Sequence, residues 1–249
     1  MLPAFCLRLA CGLLGCLLLL SPAQVNPRFF RTHFLTALGL CVLALVLLHA
    51  AAPWALWLAL LASIVLTFLG SIVWLLEGAP GSRVLLALAL PAALAALALT
   101  SAGLPVATPL AWRWADDVTS AALLGSATTA MLMGHSYLVA PAMSLTPLLR
   151  LLAALGASTL ARMALAVAGL WWWTGEPATG NVETETVLLL AVRWALGFVG
   201  PLVLGWMAYE TAKIRSTQSA TGILYVVVIL CFLGELTGQL LFHKTSWPL

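Results

Sequence analysis

Apolar residues run along this chain in stretches of about twenty, the length an α-helix needs to cross the hydrocarbon core of a bilayer. Eight stretches meet that rule, approximately Leu2–Leu20, Phe30–Ala52, Trp54–Leu76, Val84–Ala102, Val118–Leu138, Leu148–Trp173, Val187–Tyr209 and Thr221–Phe242. Between them lie helix-ending signals: Ser21-Pro22 and Asn26-Pro27, Pro53, the Gly78–Gly81 run, Pro105 and Pro109, Pro141 and Pro147, Gly175–Gly180 and Ser216–Ser219. The pattern predicts an all-α, polytopic membrane helix bundle of about eight transmembrane helices, forming a single integral membrane domain over residues 1–249. No connection is long enough to fold as a separate domain. Asp116-Asp117 reads as the acidic N-terminus of the fifth helix.

The first stretch also has features of a signal segment, because Leu13-Leu14-Gly15-Cys16 resembles a lipoprotein cleavage box. Leu17–Leu20 continue the apolar run beyond that cysteine, however, and no charge precedes Arg8, so a retained helix is expected.

Composition supports the bilayer reading: 63% of residues are hydrophobic, 8% are charged and the mean hydropathy is +1.09, whereas charged residues make up about a quarter of a typical soluble domain. The net charge of +3 is small and its basic residues are dispersed, which argues against nucleic acid as a partner. Lys and Arg also set orientation. Arg28, Arg31, Arg83, Arg150, Lys213 and Arg215 fall on one side of an eight-span layout, against Arg113, Lys244 and a shallow Arg8 on the other. The first side is expected to be cytoplasmic, with both termini outside, in a multi-pass protein of the bacterial inner membrane. Most tryptophans, from Trp54 to Trp247, then map toward the outer side as an interfacial belt, leaving Trp74 and Trp206 inward. The five cysteines all lie in apolar stretches and form no CxxC pair or zinc spacing.

Chemistry is sought where polar groups enter the spans. Arg193 and Glu235 sit on the last two spans, which are antiparallel and joined by a short turn, at depths of about 9 and 10 Å below the same surface. Their pairing is expected, either as a structural salt bridge or as a proton-accepting carboxylate tuned by a guanidinium. Gln239 lies one turn from Glu235, Gly234 and Gly238 form a small-residue track, and Gly197, Gly200 and Pro201 can open or bend the seventh helix. Arg162, near the middle of the sixth span, competes for Glu235, meets an acid on another chain, or lines a wet cavity. His135 and Tyr137, at the cytoplasmic end of the fifth span, are candidates to hydrogen-bond a quinone carbonyl. His33, His135, His49 and His243 can be drawn as two axial pairs for b-type haem, but four histidines permit such pairing freely, with His33 and His243 expected at solvated helix ends. No tightly bound cofactor is expected. No nucleophile elbow, phosphate loop or HExxH pair occurs.

The ending Gly234-Glu235-Leu236-Thr237-Gly238-Gln239-Leu240-Leu241-Phe242-His243, with eight helices and both ends outside, resembles the DmsC/NrfD/PsrC-type membrane-anchor subunits of quinol-linked redox complexes. The likeness covers about ten of 249 residues, and Gln239 stands where those subunits carry arginine. It implies an integral subunit that anchors iron-sulfur and molybdenum partners, contacts quinone, and passes electrons to those partners, with Glu235 as the residue carried over. Two other classes fit the residues: a small-solute or ion transporter with Arg162, Arg193 and Glu235 along its path, and a purely structural membrane subunit.

Overall fold

The computed structural model describes residues 1–48, 52–76, 81–103, 108–140, 143–175 and 183–249. Within them the chain forms eight helical rods: α1 (Leu2–Leu17), α2 (Pro27–Val46), α3 (Trp54–Leu75), α4 (Ser82–Ala102), α5 (Leu110–Val139), α6 (Thr146–Thr174), α7 (Thr184–Lys213) and α8 (Thr217–Thr245). Their starts follow local chemistry. Pro3, Pro27 and Pro147 occupy first-turn positions, where a missing N–H costs nothing. The Asn26 side chain caps α2 by accepting from the Arg28 N–H at 2.9 Å. Gly81 enters α4 at φ 95°, a left-handed conformation that suits glycine.

Six rods, α2, α3, α4, α6, α7 and α8, are long and apolar enough to cross a membrane. The other two are the most enclosed. The 16-residue α1 buries one face after another from Cys6 to Leu17. α5 is lined with small and polar residues, among them Ser120, Ala121, Gly125, Ser126, Ala127 and Thr129, all buried. A rod surrounded by other rods does not need an apolar surface, and small side chains let its neighbours approach closely.

The helices form two four-membered groups. α1 to α4 pack in sequence, with α4 returning to α1, while α5 packs on α6 and α8, and α7 fills in between α6 and α8. The groups join mainly along α1 and α5. Gly12 and Gly125 make that seam possible: a Cβ on Gly12 would lie 2.8 Å from Gly125 Cα, and one on Gly125 would collide with the Gly12 backbone. Outside, large apolar residues such as Leu58, Val65, Val203 and Ile229 are exposed, as a lipid-facing surface requires.

Three expectations are corrected. The fifth helix begins eight residues before Val118, directly after Pro109, so Asp116 and Asp117 lie inside it and are buried rather than at its start. Arg8 is buried and not shallow. His33 is also fully buried; its Nδ1–H donates to the Phe29 carbonyl at 2.9 Å and its Nε2 lies 3.3 Å from the Thr129 hydroxyl. Of the tryptophans, Trp74 is buried and stacks on Phe30 at 4.3 Å, whereas Trp54, Trp171 and Trp172 are exposed.

The bend expected near Gly197, Gly200 and Pro201 is a π-helical turn at Ala195–Val199. Pro201 has no N–H to close the preceding α-helical turn, and a π-turn is a common way to absorb such a gap.

The seam predicts a sharp contrast between two glycines. Gly125→Ala drives a methyl into backbone and is expected to destabilise by about 1–3 kcal/mol. Gly156, whose added Cβ would meet nothing within 4 Å, is expected to accept alanine with no loss. Thermal unfolding of the two purified variants in detergent checks this.

A buried cluster of three arginines and three acids

Six ionised side chains from five helices converge in the half of the bundle nearest Met1 and His243. Arg8 on α1, Arg162 on α6 and Arg193 on α7 face Asp116 and Asp117 on α5 and Glu235 on α8. All six are buried, Arg193 and Glu235 completely. The formal charges sum to zero.

The contacts alternate in sign. Arg193 Nη1 donates to Glu235 Oε1 at 2.9 Å. Arg162 grips the same carboxylate with two parallel bonds, Nε to Oε1 at 3.0 Å and Nη2 to Oε2 at 3.2 Å, a bidentate fork that only arginine can supply. Its remaining Nη1 donates to Asp116 Oδ1. Arg8 completes the chain, with Nη2 to Asp116 Oδ2 at 2.5 Å and Nε to Asp117 Oδ1 at 2.8 Å. Hydroxyls close both ends: Ser120 donates to Glu235 Oε2 and Ser101 to Asp117 Oδ2.

Local sequence explains how so much charge fits. Gly234 packs on Gly197, so α7 and α8 meet backbone to backbone beside the π-turn. At Gly238 a Cβ would lie 3.0 Å from Arg193 Cζ, so the missing side chain leaves room for the guanidinium. Phe198 offers its ring face to Arg193 at 4.4 Å, and Arg193 Nε donates to the Leu249 carbonyl oxygen at 3.2 Å.

The residues singled out from sequence divide into three sets. Arg193, Glu235 and Arg162 come together. Gln239 lies beside them, buried, with neither amide atom hydrogen-bonded in the described structure. His135 and Tyr137 lie toward the other end of α5, Tyr137 donating to the Ser144 carbonyl at 2.5 Å and His135 exposed. Ser120 and His135 are 15 residues apart on α5, about 22 Å along the helix, so no single site holds both sets. Of the other histidines, His33 is engaged at both nitrogens, His243 is exposed, and His49 lies outside the described residues. Among the described residues, no group of three or more His, Cys, Asp or Glu side chains is placed to hold a metal ion.

Sequence reasoning missed Arg8, Ser101, Asp116, Asp117 and Ser120 as site residues. The available signal was arithmetic: an arginine within the first apolar run needs acids at matching depth, and Asp116-Asp117 was the nearest uncommitted pair.

Two hollows border the cluster. A small cleft of about 80 Å³ opens at the surface between Met1, Ala4, Arg8, Ser101, Gln239 and His243. Arg8 Nη1 and both Gln239 amide atoms are without a hydrogen-bond partner beside it, and a volume of this size accommodates a few waters at about 30 Å³ each. On the other side of Asp117, an apolar groove of about 330 Å³ runs between α4 and α5.

No protein-family model, curated protein or solved structure matches this chain.

The cluster makes a graded prediction for stability. Removing one member leaves a buried charge unbalanced, a loss of about 3–5 kcal/mol. Arg162→Leu, which takes one of two guanidinium partners from both Asp116 and Glu235 and leaves the cluster with an excess negative charge, is expected to show a loss of that order. Lys213→Ala, which breaks the exposed pair with Glu210, is expected to leave stability essentially unchanged. Thermal unfolding in detergent distinguishes the two.

Proposed function

We propose that this chain is the integral membrane subunit of a multi-subunit redox complex, anchoring extramembrane partners and contacting quinol within the bilayer. The observation that carries the reading is a neutral, buried Arg/Asp/Glu cluster whose Asp117 also forms part of the wall of a lipid-side apolar groove. Ionisable groups held within hydrocarbon are functional-site candidates by default, and a quinol dissolved in the bilayer is a substrate class that reaches such a region from the lipid side.

The resemblance of the C-terminal stretch, from which Glu235 alone is carried over, motivates the same reading, and the stretch has physical tasks here. Gly234 admits α7, Glu235 bridges two arginines, and Gly238 makes room for a guanidinium. Glu235, Arg193 and Arg162 hold the site in shape in this scheme, and Gln239 lies next to the surface cleft. The end bearing Arg28, Arg31, Arg83, Arg150, Lys213 and Arg215 is cytoplasmic by the charge rule, placing the cluster in the outer leaflet. Electrons pass to an iron-sulfur partner, since the connections of this chain are too short to form a domain around a metal centre.

A transport role fits less well on physical grounds. A permeating ion needs a site charge it can engage, yet each acid of the cluster already holds at least one guanidinium.

Isolation of the tagged chain from native membranes in mild detergent is expected to bring down subunits containing iron-sulfur centres. Deleting the chain should release those subunits from the membrane and lower quinol oxidation by on the order of tenfold or more. Recovery of the chain alone, with solute flux in proteoliposomes, would overturn the proposal.

A further inference from the structure

We infer that this protein holds one anionic phospholipid between α4 and α6, with the lipid phosphate at Arg83 and Arg150 and an acyl chain in the apolar furrow beneath them. Such a site concerns the membrane itself, and it stands whether or not the chain belongs to a redox complex.

The headgroup end is a hollow of about 330 Å³ at the end of the bundle remote from the buried ion cluster, where α1 and α3 finish and α4 and α6 begin. Arg83, the second residue of α4, and Arg150, the fifth of α6, both line it, and no acid does. Both arginines are exposed, and neither makes an ion pair among the described residues. Nor is any described acid left to answer them. Asp116, Asp117 and Glu235 belong to the buried cluster, Glu183 and Glu185 pair with Lys244, and Glu210 pairs with Lys213. Glu77 and Glu176 lie outside the described residues. Ser21 adds a hydroxyl to the same wall. Trp74 also belongs to it, and the buried indole N–H of Trp74 has no hydrogen-bond partner among the described residues. Guanidinium groups at such a mouth suit a phosphate, whose oxygens accept from them in parallel pairs.

Below the mouth lies an apolar furrow of about 290 Å³, and Leu19 forms part of both walls. Leu90 and Leu94 of α4 and Ala154 and Ser158 of α6 line it, yet these two helices do not pack closely on each other. Gly15 of α1 also borders it, and a Cβ added there would meet nothing within 4 Å. Leu19 and Leu94 are exposed, so the furrow opens sideways on the flank of the bundle. Arg83 and Leu94 are eleven residues apart on α4, about 16 Å along the axis. That is close to one leaflet's share of a hydrocarbon core about 30 Å thick.

Charge and depth together select the occupant. A soluble anion would answer the arginines and leave the furrow unfilled, whereas a neutral lipid would fill the furrow and leave the arginines unanswered. A phospholipid with a net negative headgroup does both, and basic pockets between helix ends are recognised sites for such headgroups.

The test titrates the purified full chain in mild detergent with phosphatidylglycerol and, separately, with phosphatidylcholine of the same acyl chains, counting bound lipid by native mass spectrometry. One phosphatidylglycerol per chain is expected to bind on the order of tenfold or more tighter than phosphatidylcholine. The double variant Arg83→Gln/Arg150→Gln is expected to bring phosphatidylglycerol down to the phosphatidylcholine level. Lys213→Gln/Arg215→Gln, which removes the same charge from the same end of the bundle, is expected to keep the preference. Gly15→Leu, which fills the furrow from an unobstructed position, is expected to weaken phosphatidylglycerol by on the order of tenfold. Gly39→Leu, equally unobstructed but on α2, is expected to leave binding unchanged. Inorganic phosphate is expected not to displace the lipid. Equal affinity for the two lipids, a preference retained in the double arginine variant, or wild-type binding by Gly15→Leu would overturn the inference. Displacement of the lipid by inorganic phosphate would overturn it too, assigning the mouth to a soluble anion.

Discussion

A guanidinium or carboxylate cannot remain charged in hydrocarbon without a partner, and this fold is arranged around meeting that condition six times in one place. Insertion scales put the cost of a single central charge at about 2.5–3.5 kcal/mol. Here Arg8, Arg162 and Arg193 share it with Asp116, Asp117 and Glu235, each acid within bonding distance of at least one arginine. Such a cluster adds little net stability over an apolar core of equal volume, but it severely penalises any arrangement that leaves one member out. The selectivity acts on helix placement, because the members come from α1, α5, α6, α7 and α8.

That requirement accounts for features that otherwise look unrelated. Glycine occurs where rods must touch: Gly12 on Gly125 along the seam of the two groups, and Gly197 on Gly234 beside the cluster. The π-turn at Ala195–Val199 lies immediately after Arg193, and Phe198 from that turn covers the guanidinium. The low hydropathy of α5 follows as well. It carries two of the three acids and is enclosed by α1, α6 and α8, so it relies on its neighbours rather than on lipid.

Much of this was legible in the residues, and the gaps have physical causes. Spans of about twenty apolar residues located the rods, and depth arithmetic on two consecutive antiparallel helices sufficed to bring Arg193 and Glu235 together at 2.9 Å. Arg162 reached Glu235 because its depth matched. Asp116 and Asp117 were misread because an acidic pair near Pro109 has the same local signature as a helix start, and the partner that neutralises it from α1 is 108 residues away. His33 misled in the same way: six residues into α2 it resembles an interfacial side chain, yet α5 brings Thr129 to it and covers it. The Gly12–Gly125 contact left no trace in sequence, since a lone glycine in each of two helices does not identify its opposite. Asp117's position on a groove depended on how α4 leans against α5, which no residue pattern encodes.

The staple between the two helix groups has a consequence for biogenesis. Arg8 leaves the ribosome long before Asp116 and Asp117 exist, and the one acid that precedes them in the chain is Glu77, which follows α3 in sequence. α5, in turn, is not among the six rods that are long and apolar enough to cross a membrane. Neither rod is therefore at ease until the other arrives, so the insertion machinery must shelter the nascent N-terminal group, or hold α1 near the headgroups, until translation has delivered α5. Membrane integration of this protein is then a delayed handshake across the first half of the chain rather than eight independent threading events.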